Sequence, residues 1–247
     1  MKLKNKVLLT LLVVTSFFQK ITAQTEFETW GNLTGIRTEQ GLHDFNTSLV
    51  LVNEQGYKWV TRKEGQKTDF KRDNETNTFS YEMKNISWTQ TLKPLTTNSI
   101  RVKIDFSAPK DTLIQGAYFR IKLPEDFTKD TSIKITNPES ITAQAIRAAF
   151  DNASYKAPVK AVNMLTKERG IQVTAQEQTE LIIITGKDSL NPEFELNFAI
   201  ATGNLEAGKT YSNTFDIEVS GETDNSPVTL KLFPEQEGNP FDGIGGN

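Results

Sequence analysis

The 247-residue chain has no cysteine, one histidine and three tryptophans. The lack of cysteine removes disulfides, thiolate metal ligands and a lipoprotein anchor, which is attached at a cysteine. A lone imidazole, His43, cannot build a zinc centre or a Ser/His/Asp triad without partners. Lying beside Asp44 between a turn and a strand, it reads as a structural surface residue. Long apolar runs are also missing: Val7 to Phe18 is 12 residues, short of the roughly 20 that a spanning helix needs. Cationic excess is absent too, since 28 basic residues face 31 acids. Such a surface does not attract phosphate backbones or anionic lipid, so neither nucleic acid nor a membrane is expected as a partner.

What is present begins with an address. Lys2, Lys4 and Lys6 precede the apolar run, and Ile21-Thr-Ala23 supplies a small residue before Gln24. This is the plan of a secretory signal peptide cut after Ala23, with a bacterial look, and the expected location is periplasmic or extracellular. Removing residues 1–23 takes four lysines with it, leaving 24 basic residues against 31 acids, a net charge of −7. Five Asn-X-Ser/Thr triplets, at Asn32, Asn46, Asn74, Asn85 and Asn152, arise easily by chance in a chain rich in Asn and Thr. They carry no functional weight in a bacterial reading.

The rest reads as short strands. Gly31 to Arg37, Phe45 to Val52 and Tyr57 to Arg62 are separated by turns at Glu39 to Gly41 and Asn53 to Gly56. Thr68 to Thr78 is charged and turn-forming, a hairpin tip, and it leads into Phe79 to Met83 and Ile86 to Leu92. Ile100, Val102, Ile104 and Phe106 alternate strictly with Arg101, Lys103 and Asp105, which marks a strand with one face in a core and one in water. Ala117 to Leu123 repeats the pattern, with Tyr118, Arg120 and Lys122 on its polar side.

Later strands are expected at Val159 to Leu165, Ile171 to Ala175, Leu181 to Thr185, Glu193 to Ala199, Tyr211 to Val219 and Val228 to Phe233, with a turn at Ala175 to Gln178. One short helix is expected over Glu139 to Phe150. The fold class is therefore all-β, an antiparallel β-sandwich of one large or two packed layers with at most one short helix. Expected segments are residues 24–130 as one half, 131–233 as the other half or a second small β domain, and 234–247 as a linker and the start of a further domain.

Candidate site residues are few. The flat faces of Trp30, Trp59 and Trp88 are what a pyranose packs against, although buried core is the commoner fate of tryptophan in a sandwich. Trp59 and Trp88, with Arg62, form the expected glycan-binding set, and Asn53 and Gln55 stand near enough in sequence to add polar contacts. Acids are plentiful but not visibly paired across a cleft, as glycosidase chemistry requires. Asp69 to Glu75 lacks the glycine and final glutamate of an EF-hand loop. No catalytic residue, metal or cofactor is expected.

Near its end the chain reads Phe241-Asp-Gly-Ile-Gly-Gly246. These six residues resemble the opening of the first barrel strand in (β/α)₈ glycoside hydrolases related to glucosylceramidases and xylanases. Gly31-Asn-Leu-Thr-Gly-Ile-Arg37 more diffusely resembles the β-sandwich leader that precedes such barrels in secreted glycan-degrading proteins. The resemblance implies a non-catalytic sandwich module, truncated at the start of the barrel, whose partners are polysaccharide or a (β/α)₈ catalytic domain. The family's acid and nucleophile lie on later barrel strands, so no catalytic role transfers to any residue here. A free-standing extracellular interaction or adhesion domain is the alternative, and a small hydrolase or lyase with its own surface cleft is a third reading.

Overall fold

A computed structural model describes residues 24–62, 67–124, 127, 131–136, 154–185 and 194–221. Fifteen strands occupy most of this length, all paired antiparallel, and no α-helix occurs among the described residues. In order they are β1 (Gln24–Phe27), β2 (Leu33–Thr38), β3 (Gly41–Asp44), β4 (Asn46–Asn53), β5 (Lys58–Val60), β6 (Thr68–Asp73), β7 (Thr76–Met83) and β8 (Ile86–Pro94). There follow β9 (Ser99–Ser107), β10 (Thr112–Leu123), β11 (Ser132–Thr136), β12 (Ser154–Leu165), β13 (Arg169–Thr185), β14 (Phe194–Leu205) and β15 (Thr210–Gly221). The all-β antiparallel sandwich read from the sequence is the fold observed. The expected helix, the leader, the strand at Val228 to Phe233 and the Phe241 to Gly246 segment lie outside the described residues.

Two layers share one hydrogen-bonded path. The first layer runs β5-β4-β10-β14 and continues into the C-terminal part of β13, where Leu181 to Thr185 pair with Phe194 to Phe198. The second runs β6-β7-β8-β9-β15 and continues into the N-terminal part of β13, where Arg169 to Ala175 pair with Phe215 to Gly221. The long hairpin β12–β13 thus serves both layers, and strands from before and after residue 131 interleave. Facing rings fill the space between: Phe215 of β15 lies 5.0 Å from Phe119 of β10 and 5.4 Å from Phe198 of β14, centroid to centroid. Full burial of each such ring contributes about 1.5–3 kcal/mol.

Three local departures from the sequence reading have physical causes. First, Ala175 to Gln178 is no turn but the middle of the 17-residue strand β13. The polar run marks where β13 changes neighbours, and there the Asn213 side chain engages both the N–H and the carbonyl of Glu177, at 3.3 and 3.4 Å. Second, the charged stretch after Thr68 is strand β6, an edge strand whose exposed side chains carry charge at no desolvation cost. Its turn is tight, with Asn74 at φ 52°. Third, Gly41 to Asp44 forms β3, which closes a small sheet β1-β2-β3.

That small sheet caps the core between the layers. Leu33 and Ile36 are fully buried, and the Leu33 N–H donates to Thr47 Oγ1 of β4 at 2.8 Å. On the other side, the buried Gln90 amide of β8 donates to the Gly31 carbonyl at 2.8 Å. Gly31 has φ 96°, and a Cβ there would meet the Phe79 ring at 2.8 Å. A Gly31→Ala variant should lose about 2 kcal/mol through backbone strain and crowding. Urea unfolding would show this as a lower midpoint with an unchanged slope.

Candidate functional site

Register places a polar band on the outer face of the first layer. Arg120 of β10 lies directly opposite Ser48 of β4 on one side and Asn197 of β14 on the other. Asn197 in turn lies opposite Ile182 of β13, and Ile182 opposite Lys156 of β12. Side chains directly opposite in adjacent antiparallel strands share a face. Five strands therefore contribute one row, flanked by Tyr118 on one side and by Lys122 and Glu195 on the other.

The band is not a solvated surface. Ser48, Asn197, Arg120 and Glu195 are only 3, 6, 9 and 9% exposed, whereas the Lys156 side chain at the β12 end is 62% exposed. Arg120 donates from Nε to Ser48 Oγ at 2.8 Å and from Nη1 to Glu195 Oε1 at 3.4 Å. Lys122 also approaches Glu195, at 3.4 Å, and Lys156 pairs with Glu180 at 2.9 Å. That bond to Glu180 raises the Lys156 ammonium pKa. Burial, reinforced by the nearby Glu180 charge, raises the Tyr118 phenol, so its hydroxyl stays a donor. Among the described residues Asn197 Nδ2 has no partner, and Arg120 bonds through Nε and Nη1 but not through Nη2.

The glycan set read from the sequence is not brought together as a platform. Trp88 is 1% exposed and stacks on Phe106, with centroids 4.6 Å apart, because even positions of β8 face the core. Its expected role at the surface is thus corrected: a sugar cannot reach it. Trp59 lies opposite Leu51 and packs half-buried on the core, with Lys84 Nζ 5.1 Å from its ring centroid. Arg62 is exposed just beyond β5. Asn53 and Gln55 bond to each other at 2.6 Å, and Asn53 Oδ1 accepts the Tyr57 N–H, so both serve the β4–β5 turn. Trp30 sits half-buried in the turn before β2. Among the described residues, no three His, Cys, Asp or Glu side chains gather as a metal site, and no helix is long and apolar enough to cross a membrane.

His43 is a second correction. It is 3% exposed rather than at the surface, and neither ring nitrogen has a partner. It lines a recess with Phe45, Leu123, Phe127, Arg169 and Ile171, where β3 meets the start of β13. Arg169 Nη1 reaches Asp44 Oδ1 at 2.6 Å and its guanidinium lies over the Phe127 ring at 5.3 Å. Burial above all, and then the Arg169 charge, push the His43 pKa below its ordinary value, while Asp44 opposes them. The sequence carried no sign of this, because the burial depends on β3 docking onto β13.

No protein-family model matches the chain, and no curated protein matches it either. Solved structures do. A galactose mutarotase-like protein from Lactobacillus casei ATCC 334 superposes with a TM-score of 0.58 at 9% identity, covering 82% of this chain and 98% of that one. A GalM/aldose epimerase homologue from C. elegans gives 0.55 at 7%, covering 83% and 97%. Galactose 1-epimerase from Lactobacillus acidophilus NCFM gives 0.51 at 8%, covering 83% and 93%. At such identities the likeness establishes the fold, a mutarotase-like sandwich, and does not carry residue roles.

The His43 environment generates a pH dependence. A histidine whose pKa is lowered in the folded state takes up fewer protons than in the unfolded chain, so stability rises with pH. Its contribution is complete above the unfolded value near 6.5 and is lost as pH falls from there toward the lowered folded value. Urea midpoints measured between pH 7.5 and 5 should decline for the native chain, and the part of the decline between 6.5 and 5.5 should be absent in His43→Leu. Equal declines in both proteins would contradict the assignment.

Proposed function

We propose that this chain is a secreted, non-catalytic sandwich module of a polysaccharide-degrading glycoside hydrolase, which supports a (β/α)₈ catalytic barrel and holds glycan. The observation that carries the reading is the fold, which proteins described as galactose mutarotase-like and as galactose 1-epimerase share over almost their whole length. Phe241 to Gly246, with its likeness to the opening of a hydrolase barrel, supplies the finer part.

The chemistry of the outer face favours holding over turnover. A glycosidase or an epimerase needs carboxyl or imidazole groups poised to exchange protons. On this face Glu195 is held by Arg120 and Lys122, and Glu180 by Lys156. Both carboxylates are thus engaged by cations of their own sheet rather than aimed at a substrate. Glu28 has a carboxyl raised by burial, but it stands in the turn after β1, where bonds to Trp30 and Asn32 oppose the shift. His43 lies in the recess at the β3–β13 contact, which is too small for a sugar ring.

Two assays test this. The purified chain should release no reducing ends from a polysaccharide panel and should not accelerate the mutarotation of galactose followed by polarimetry, while migrating more slowly in gels that contain a bound glycan. Acceleration of mutarotation, or release of sugar, would overturn it. Trp88→Ala should unfold the chain more easily, by about 3–5 kcal/mol. Trp59→Ala should cost less, and any loss of glycan retention in it should exceed what its stability change explains.

A further inference from the structure

We infer that the outer face of the first layer binds a carboxylate-bearing saccharide, a uronic acid unit, at the juxtaposed Arg120 and Asn197. This rests on the glycan-holding reading and narrows it to a place and a substrate class.

Three features carry it. The first is unmet hydrogen bonding. Asn197 is 6% exposed, and its Nδ2 forms no bond among the described residues. A buried donor left without an acceptor is costly, so a protein retains one where something else completes it. Arg120 stands opposite on the adjacent strand with its Nη2 unused, since Nε is given to Ser48 and Nη1 to Glu195. Two neighbouring N–H donors without an acceptor between them call for an oxygen ligand that accepts twice. A carboxylate does so with its two oxygens.

The second feature is charge. The Arg120 guanidinium meets Glu195 through Nη1 alone, at 3.4 Å, and shares that carboxylate with Lys122, so its positive charge is only partly offset by it. Shielding from water strengthens the attraction of that charge for an anion. The third is the neighbour of Arg120 two positions back on β10. Tyr118 projects to the same side, half-exposed, with its ring laid over Gly116 and a neutral hydroxyl, and its other ring face is the one offered to a pyranose. Exposure increases along the row toward Lys156, so the ligand enters from the β12 end. An acidic peptide would satisfy the guanidinium and the amide but has no use for Tyr118.

The test uses a matched pair of probes, trigalacturonate and galactotriose, which differ in a carboxylate against a hydroxymethyl at each ring, titrated calorimetrically into the mature chain. Trigalacturonate should bind and galactotriose should bind at least about tenfold more weakly, with affinity falling as salt is raised. Arg120→Gln and, because that change leaves Glu195 with less compensation, Asn197→Asp should each weaken trigalacturonate about tenfold or more while melting stays cooperative. The exposed variant Lys156→Gln, which cannot disturb packing, should weaken it less and reduce the salt dependence.

Preference for galactotriose would overturn the uronate assignment and leave the module reading standing. Binding of trigalacturonate that none of the three variants affects would overturn the location. Equal binding of pentaglutamate would overturn the saccharide specificity. Failure of both sugars to bind would overturn this inference together with the glycan-holding part of the function, while the supporting role toward a barrel would still stand.

Discussion

Strand β13 is the constraint on which the molecule depends. Its 17 residues give hydrogen bonds to β15 over the first part and to β14 over the last, with β12 alongside both parts except at Ala175 to Gln178. A strand that belongs to both layers fixes their relative register, because a slip of one residue would turn every side chain of both sheets over. Ile171 and Val173 enter the core from one layer and Leu181 and Ile183 from the other, all 3% exposed or less. The changeover point lacks strand partners of its own, and the Asn213 side chain supplies the missing bonds to Glu177.

The same register decides the chemistry. Once Leu181 and Ile183 face inward, Ile182 faces outward, and pairing through β14 and β10 sets Asn197 and Arg120 beside one another on the outer side. Their donors could be satisfied by each other's neighbours only if an acceptor lay between, and the sheet provides just Ser48 and Glu195. The core and the polar band are thus two faces of one pairing pattern. The first holds the aromatic rings with which the two layers meet, and the second holds the Arg120 guanidinium and the buried Asn197 amide, whose Nδ2 is unpaired.

Much of this was legible beforehand, and the reasons for the rest are specific. Ile100 to Phe106 and Phe194 to Phe198 alternate because one side of each meets the core, so their strands were readable from period alone. The continuity of β13 was not, since Ala175-Gln-Glu-Gln178 has the composition of a turn and is kept extended only by tertiary partners. Sequence alone places His43 at the surface and leaves Trp88 open to it. His43 is buried against β13, far away in sequence, and Trp88 against Phe106 of the next strand, β9, on the core face of the sheet. Arg120 and Asn197 were visible as polar members of alternating strands, where water is the default neighbour. Nothing in their spacing told that they face each other or that their face is largely covered.

The most direct measurement of the account is the side-chain amide spectrum of the ¹⁵N-labelled chain during titration with a uronate oligomer. The Asn197 NH₂ pair, lacking an acceptor in the free protein, should shift downfield with the Arg120 Nε resonance as the ligand saturates, and the Trp59 indole should stay in place. Movement of the Trp59 indole with Asn197 unchanged would contradict it and return recognition to the β4–β5 edge.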